Sequence, residues 1–183
     1  MADNNNFPNL FHNDKWQIQF SNLPTINSYR DMRLYDNYVK SVVLPDYNMG
    51  EIYSDFISFR VRHPLNKKNP DLSQIQIEFK LSEDMLNYIY LFEWMRSIKY
   101  GDVEDFNTEE EFFRKYNIKA ININILDNQK RMIASWKFTE CFLITLGSLP
   151  LQMGISEEVT FTANFSYEEI SYTKYSIDSN SES

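Results

Sequence analysis

The sequence predicts a mainly β protein, an antiparallel β-barrel or sandwich with one main α-helix packed against it. Several segments alternate apolar and polar residues with the period of two that is typical of strands. One segment, residues 83–99, instead has helical periodicity, and strands flank it on both sides. The chain has 183 residues, of which 43% are hydrophobic, so it is long enough to bury the core of one domain without disulfides or metals.

The first half of the chain contains four predicted strands. In the first of them, Trp16, Ile18 and Phe20 alternate with polar residues, so we expect one buried face. Segments rich in Pro, Asn and Asp separate the strands and predict loops. A polar arm, residues 1–14, precedes the domain. The strands are predicted over residues 15–20, 38–44, 57–62 and 75–79.

The main helix is predicted over residues 83–99. Ser82 is its predicted N-cap, and Glu83 and Asp84 suit the positive end of the helix dipole. We expect the helix to stop near Gly101, because glycine commonly follows a helix C-terminus. A capping-box sequence, residues 108–111, predicts a second, short helix that runs to about residue 115.

The second half contains the clearest strand pattern. Ile121, Ile123 and Ile125 alternate with asparagines, residues 127–130 form a predicted turn, and a second alternation covers residues 132–139, which together predict a hairpin. The domain is therefore expected to span residues 15–175. The remaining segments are predicted as an extension of the second hairpin strand (141–146), a loop (147–154), a long last strand (159–165) and a flexible polar tail (176–183).

The main helix carries apolar residues on two faces. Leu86, Tyr90 and Trp94 have the spacing i, i+4, i+8 and fall opposite the wider stripe that we expect to face the core. Two explanations stay open for this second face: residues 99–117 cover it, or it contacts another subunit. The wider, core-facing stripe is predicted to consist of Met85, Tyr88, Leu91, Phe92, Met95 and Ile98.

The strand edges also indicate assembly. An antiparallel domain has edge strands, which aggregate unless they are blocked or paired, and the predicted strands contain few inward charges or prolines. Joining the sheets across subunits in a ring removes free edges, as closure of a barrel does.

Candidate chemistry is sparse. The two histidines, His12 and His63, lack ligand neighbours at metal-binding spacing, and the lone cysteine, Cys141, lies in a strand-like segment. No nucleophile-elbow, Walker or dinucleotide-binding motif occurs. The acidic runs at 109–111 and 157–158 are explained by a helix start and a strand approach, although a carboxylate pair of the glycosidase type stays formally open. We therefore expect no enzyme activity, no cofactor and no metal.

Charge and hydropathy limit the partners. The net charge of −8 disfavours tight binding of nucleic acid or anionic lipid. The Asn-rich start lacks the pattern of a signal peptide, and no apolar stretch approaches the ~20 residues of a membrane span, so no membrane association is expected.

Between Val43 and Met95 the order of features resembles the tail tube proteins of contractile-tailed bacteriophages. A strand ends in a Leu-Pro turn, a hairpin-like stretch follows, and a later strand leads into an acidic helix start. The second half is similar too, with a hairpin, a Leu-Pro step and a last strand that ends in aromatics. The residues that carry the resemblance are Leu44-Pro45, Phe59, Asp71, 75–79, Glu83-Asp84, Phe92-Glu93-Trp94, Leu149-Pro150, 159–161 and 165–167.

The resemblance implies a structural virion protein of the phage tail, assembled in the host cytoplasm. Subunits form hexameric rings whose sheets close into one lumen, the rings stack through the loop between the second and third strands, and genomic DNA passes without specific binding. The helix lies outside, toward the sheath, so Leu86, Tyr90 and Trp94 are the expected contact with sheath or a neighbour. Baseplate and tail-terminator proteins are further expected partners. The predicted ring-stacking residues, with Tyr47 and Met49 as anchors, are Leu44, Pro45, Asp46, Tyr47, Asn48, Met49, Gly50, Glu51, Ile52 and Tyr53.

Other functions stay open on the sequence. A tube-like baseplate or terminator protein has the same fold expectations. A monomeric β-barrel that binds a small ligand predicts a closed barrel and no oligomer. An enzyme such as a cell-wall hydrolase requires a site that the sequence does not supply.

Overall fold

A computed structural model describes residues 14–24, 26, 38–45, 51–55, 60–64, 74–100, 111, 115–153 and 157–175, with the backbone alone for 51–55 and 61–64. The described part is mainly β with one helix, as predicted. Its elements are β1 (Trp16–Ser21), β2 (Val39–Val43), β3 (Glu51–Asp55), β4 (Arg60–Pro64), β5 (Gln74–Lys80), α1 (Leu86–Tyr100), β6 (Ile118–Leu126), β7 (Met132–Leu146), β8 (Thr160–Ser166) and β9 (Glu169–Lys174).

Seven strands form one antiparallel sheet that bends at β7. The path of paired strands is β1-β6-β7-β8-β5-β2, and β9 also pairs with β7. The first part of β7 pairs with β6 and β9, whereas its last part, from Phe142, pairs with β8. Glu140 separates the two parts and has a φ of 48°. A left-handed residue inside a strand bends it, so β7 passes from one half of the sheet to the other.

Strands β8 and β9 together pair with β7 along most of its length. Phe142 pairs with Ser166, and three residues earlier Thr139 pairs with Glu169, so the register continues across the short break between β8 and β9. The predicted last strand is therefore followed by a further strand, β9, that the sequence did not indicate. Its residues are mostly exposed, and a strand without a buried stripe lacks the alternation on which the prediction depends.

The predicted hairpin is confirmed as β6 and β7. Ile121 pairs with Phe138 and Ile123 with Trp136. In the turn, Asp127 Oδ1 accepts hydrogen bonds from the backbone amides of Gln129 and Arg131, both at 2.8 Å. Those bonds, from the Arg131 amide above all, lower the pKa of Asp127.

The prediction for the region between β2 and β5 is partly wrong. A strand was expected over residues 57–62, and its described part, from Arg60, belongs to β4, which pairs with β3 as a separate two-stranded hairpin. No strand was predicted at the position of β3, and residues 51–53 were instead placed in the predicted ring-stacking segment. Residues 56–59 lie outside the described part.

The helix begins later than predicted. It starts at Leu86, and Asp84 Oδ1 accepts the amide hydrogen of Leu86 at 3.1 Å. Met85, at φ 56°, supplies the carbonyl that accepts the amide of Ile89. Ser82 lies four residues before the first helical residue, so it is not the N-cap, although its Oγ accepts the amide hydrogen of Asn87 at 3.5 Å and donates to Asn87 Oδ1 at 3.0 Å. The predicted stop at Gly101 and most of the predicted second helix lie outside the described residues.

The core lies between the two halves of the bent sheet and the inner face of α1. Phe79 stacks on Phe161 with ring centroids 5.4 Å apart, and Trp94 lies 6.1 Å from Phe165. Among the described residues, no helix is long and apolar enough to cross a membrane. The largest fully buried side chains include Trp94, Tyr90, Phe79, Phe138, Phe165, Ile75, Ile77 and Leu91.

Candidate assembly surfaces

The inner face of α1 is the face that the sequence predicted to point outward. Tyr90 and Trp94 are 1% and 0% exposed, so neither is available to a sheath or neighbouring subunit, and the prediction is wrong for both. The Tyr90 hydroxyl donates to the carbonyl of Pro24 at 2.7 Å, and Trp94 Nε1 donates to the carbonyl of Tyr116 at 2.9 Å. Buried Tyr and Trp need such acceptors, which this chain supplies internally. Leu86 is half-buried.

Of the two explanations left open for this face, coverage by the chain itself fits the structure. Tyr116, from the predicted covering segment 99–117, supplies the acceptor for Trp94. Burial of Tyr90 also raises the pKa of its hydroxyl, as desolvation disfavours the phenolate.

The predicted core stripe of α1 is right in part. Leu91 is fully buried, and Tyr88, Met95 and Ile98 pack against the core from half-buried positions. Phe92, expected in the same stripe, is 50% exposed. It stands at the side of a groove of about 710 Å³ whose lining includes Tyr88, Met95 and Leu146 as well as the cations Arg96 and Lys99. The outer face of α1 is therefore apolar with a basic margin.

The predicted ring-stacking segment is only partly described. Leu44 is exposed and Pro45 half-buried at the end of β2, whereas residues 46–50, including the expected anchors Tyr47 and Met49, lie outside the described part. The backbone of residues 51–53 belongs to β3. The stacking role of this segment stays a prediction.

The loop after β7 presents apolar side chains that the sequence analysis did not single out. The loop begins at Gly147, whose amide donates to the Thr162 carbonyl at 2.7 Å. A side chain does not fit at this position without a shift, because its Cβ would lie 2.7 Å from Thr162 Oγ1. Beyond it, Leu151 is 71% exposed and Met153 is fully exposed. Two large apolar residues inside a predicted loop were the signal that could have identified this surface.

The sheet has a polar face with few charges. Gln17, Asn124, Ser135 and Thr173 lie in one row across β1, β6, β7 and β9, and Ser135 donates to Asn124 at 2.8 Å. The neighbouring row of residues on the same face of the sheet contains one charged side chain, that of Lys137. In the other half, Lys40 and Lys80 pair with Glu78 and Glu158, both at 2.9 Å, so the charges there are largely balanced.

The sheet is not closed within the described residues. Strands β1 and β2 end the path of paired strands, and β9 pairs with β7 alone. The amide of Tyr175 donates to the carbonyl of Ile133 in β7. Every second residue of an antiparallel strand directs its amide to the same neighbouring strand, so residues 173 and 171 also direct their amides toward β7. The amide of Tyr172 then points away from β7, toward the open edge.

In the described part of the chain, metal-ligating side chains do not lie together at one place. No group of three or more His, Cys, Asp and Glu side chains there is arranged to hold a metal ion. Burial raises the pKa of the Cys141 thiol to about 12, which keeps it protonated and unreactive.

Several solved structures have a similar fold. The chain aligns with a chain of the anti-feeding prophage cap (the AFP tube-terminating cap) at a TM-score of 0.63 and 11% identity, over 92% of this chain and 94% of that one. It aligns at a TM-score of 0.59 and 13% identity with a chain of the PVC sheath–tube complex in the extended state, over 91% and 93% of the two chains. A chain of the PVC sheath/tube terminator gives the same score and identity over 91% and 97%. Identities this low show a shared fold.

No family model matches the chain, and no curated protein matches its sequence. What the comparisons show is therefore the fold, which this chain shares with chains of the AFP cap and of the PVC sheath–tube and terminator structures.

Proposed function

We propose that the chain is a structural tube subunit of a contractile tail-like particle, which assembles into hexameric rings that stack around a channel. The observation that carries the proposal is the bent sheet with its end strands unpaired among the described residues. A single closed barrel, as a monomeric ligand-binding module requires, has no such edges. Pairing between copies satisfies the edge amides and carbonyls, which otherwise favour uncontrolled association.

The polar face of the sheet suits the wall of a channel. Its exposed residues Gln17 and Thr173 are uncharged, and the buried Asn124 of the same row is bonded to Ser135, so the row offers no charge to a molecule that moves past. The net charge of −8 further weakens adhesion of a polyanion. We accordingly propose that genomic DNA passes through the channel without specific binding, as in a phage tail. Sheath, baseplate and terminator proteins are the proposed partners, and the assembled tail is the proposed location.

A second candidate function is that of a tube-terminating ring. The alignment with a chain of the AFP tube-terminating cap favours it. A terminator has one face that must not accept a further ring, so the two functions differ in whether rings stack.

Negative-stain microscopy of the purified full-length protein tests both functions. Stacked tubes support the tube subunit, and single six-membered rings that do not stack support the terminator. A monodisperse monomer at high protein concentration contradicts both.

The edge pairing has its own test at Tyr172. Proline at this position removes an amide that faces the open edge and leaves the ladder with β7 intact, since Tyr172 donates away from β7. Tyr172→Ala is the matched control, because it removes the same side chain and keeps the amide. If β9 is a pairing edge, the proline variant alone loses rings. Equal assembly of both variants excludes β9 as the edge used.

A further inference from the structure

The groove on the outer face of α1 has the composition of a binding site for an apolar and acidic segment. Its sides are formed by Tyr88, Phe92, Met95 and Leu146, and Arg96 and Lys99 lie at its margin. Among the described residues the partners of both cations are weak: Arg96 lies 3.4 Å from the half-buried Glu93, one turn back on the helix, and Lys99 lies 5.4 Å from the ring centroid of Tyr100. Exposed contacts of this kind leave a cation available to a partner.

The loop that follows β7 has the complementary composition. Leu151 and Met153 project into solvent, and Glu157 and Glu158 are exposed beside the same loop surface. The carboxylate of Glu158 already pairs with Lys80 at 2.9 Å. Glu157 is thus the acidic group that we assign to a cation of another molecule.

We propose that Leu151 and Met153 of one copy insert into the α1 groove of a second copy, with Glu157 placed toward Arg96 and Lys99. Two properties favour a second copy of this chain as the occupant. The apolar side chains match the apolar sides of the groove, and the acidic loop matches its basic margin. In the single chain Leu151 and Met153 are exposed, so these two side chains do not occupy the groove of their own chain.

The proposed contact joins two unlike surfaces, a loop and a groove. Such a contact leaves one free loop and one free groove at the ends of any open chain of subunits, so it propagates into rings or stacks. The inference therefore rests on the proposed function, because it needs copies that assemble, and it adds the residues that hold them.

Mixed single-site variants test the contact directly. Phe92→Cys is introduced into one preparation and Met153→Cys into another that carries a mass tag, and the mixture is treated with a short bismaleimide. The native Cys141 is buried and protonated, so it contributes little. We expect a cross-linked heterodimer in the mixture and much less product in either preparation alone. Met153→Cys mixed with Lys137→Cys, on the polar face of β7, is the matched control.

Charge reversal tests the pairing. Arg96→Glu/Lys99→Glu is expected to weaken self-association by about tenfold or more, and mixing with Glu157→Lys is expected to restore part of it. Lys119→Glu/Lys137→Glu changes the net charge equally and is expected to have a smaller effect. Circular dichroism of each variant checks that it is folded.

The outcomes separate this inference from the proposed function. Two results overturn the inference and leave the tube subunit standing: rings in the microscope without a cross-link between the Phe92→Cys and Met153→Cys variants, or rings without a difference between the two charge-reversal variants. A protein that stays monomeric overturns both. The specific cross-link together with partial rescue establishes the contact.

Discussion

The two faces of α1 are both aromatic, yet they have opposite roles. The inner face buries Tyr90 and Trp94, and each donates a hydrogen bond to a backbone carbonyl of its own chain. The outer face exposes Phe92 and Tyr100 next to Arg96 and Lys99. Hydrophobicity alone does not separate the faces. The difference lies in the polar atoms of Tyr and Trp and in the acceptors that a fold supplies for them.

Truncation on each face gives the largest expected difference. Trp94→Ala leaves a cavity and an unpaired Tyr116 carbonyl, so it is expected to cost ~3–5 kcal/mol of unfolding free energy. Phe92→Ala on the outer face is expected to cost less than about 1 kcal/mol, because half of the side chain is already in water. Urea denaturation of both variants measures the contrast. Equal losses contradict the assignment of the faces.

Asn87 sharpens the description of the inner face. Its Nδ2 donates to the Lys80 carbonyl at 2.7 Å, and its Oδ1 accepts from the Ser82 hydroxyl at 3.0 Å. Removal of both bonds in Asn87→Ala leaves buried groups unsatisfied, with an expected cost of ~1–3 kcal/mol. Asn128→Ala, in the exposed hairpin turn, is the control and is expected to be nearly neutral. A decrease in melting temperature of similar size in the Asn87→Ala and Asn128→Ala variants would contradict this explanation of Asn87.

The hydroxyl of Tyr90 gives a smaller effect. Tyr90→Phe removes one buried hydrogen bond to Pro24 and keeps the ring, so the expected loss of stability is about 1 kcal/mol. Tyr100→Phe, on the exposed side, is expected to change stability by a few tenths of a kcal/mol at most. Thermal unfolding of the two variants measures this difference in stability. If Tyr90→Phe is as stable as the wild type, the hydrogen bond contributes nothing to stability.

The smallest expected effect is a pH dependence on the polar face of the sheet. Hydrogen bonds from Lys40 and Thr160 lower the pKa of Glu78 below its ordinary value of 4.5. The ionised carboxylate is thus favoured in the folded state, and its stabilisation is complete above the ordinary value and is lost as pH falls through the lower folded-state pKa. Glu78→Gln is expected to flatten the stability profile in this acidic range, with Glu168→Gln as the exposed control. A profile unchanged by Glu78→Gln contradicts the assignment.

The sequence predicted the elements with a buried stripe. Ile121, Ile123 and Ile125 indicated the hairpin of β6 and β7, and the alternation in β5 and β8 was read correctly, because half-burial imposes a period of two. Strand β9 has mostly exposed residues, and its position is fixed by pairing with β7. Such pairing between distant segments leaves no pattern in the local sequence from which it could be predicted.

The orientation of α1 was predicted wrongly for a related reason. Its apolar residues cover two faces, and the choice between them depends on distant acceptors at Pro24 and Tyr116. The segment with Leu151 and Met153 was predicted as a loop, but the exposure of its two large apolar side chains was not predicted. The ring-stacking prediction at Tyr47 and Met49 lies outside the described residues and stays a prediction.

The central claim is that this chain works as a ring-forming subunit, and the mass of the purified protein in solution tests it most directly. Light scattering on the full-length protein is predicted to give six 21.9-kDa chains or multiples of that assembly. A mass of one chain that persists at high protein concentration would contradict the account.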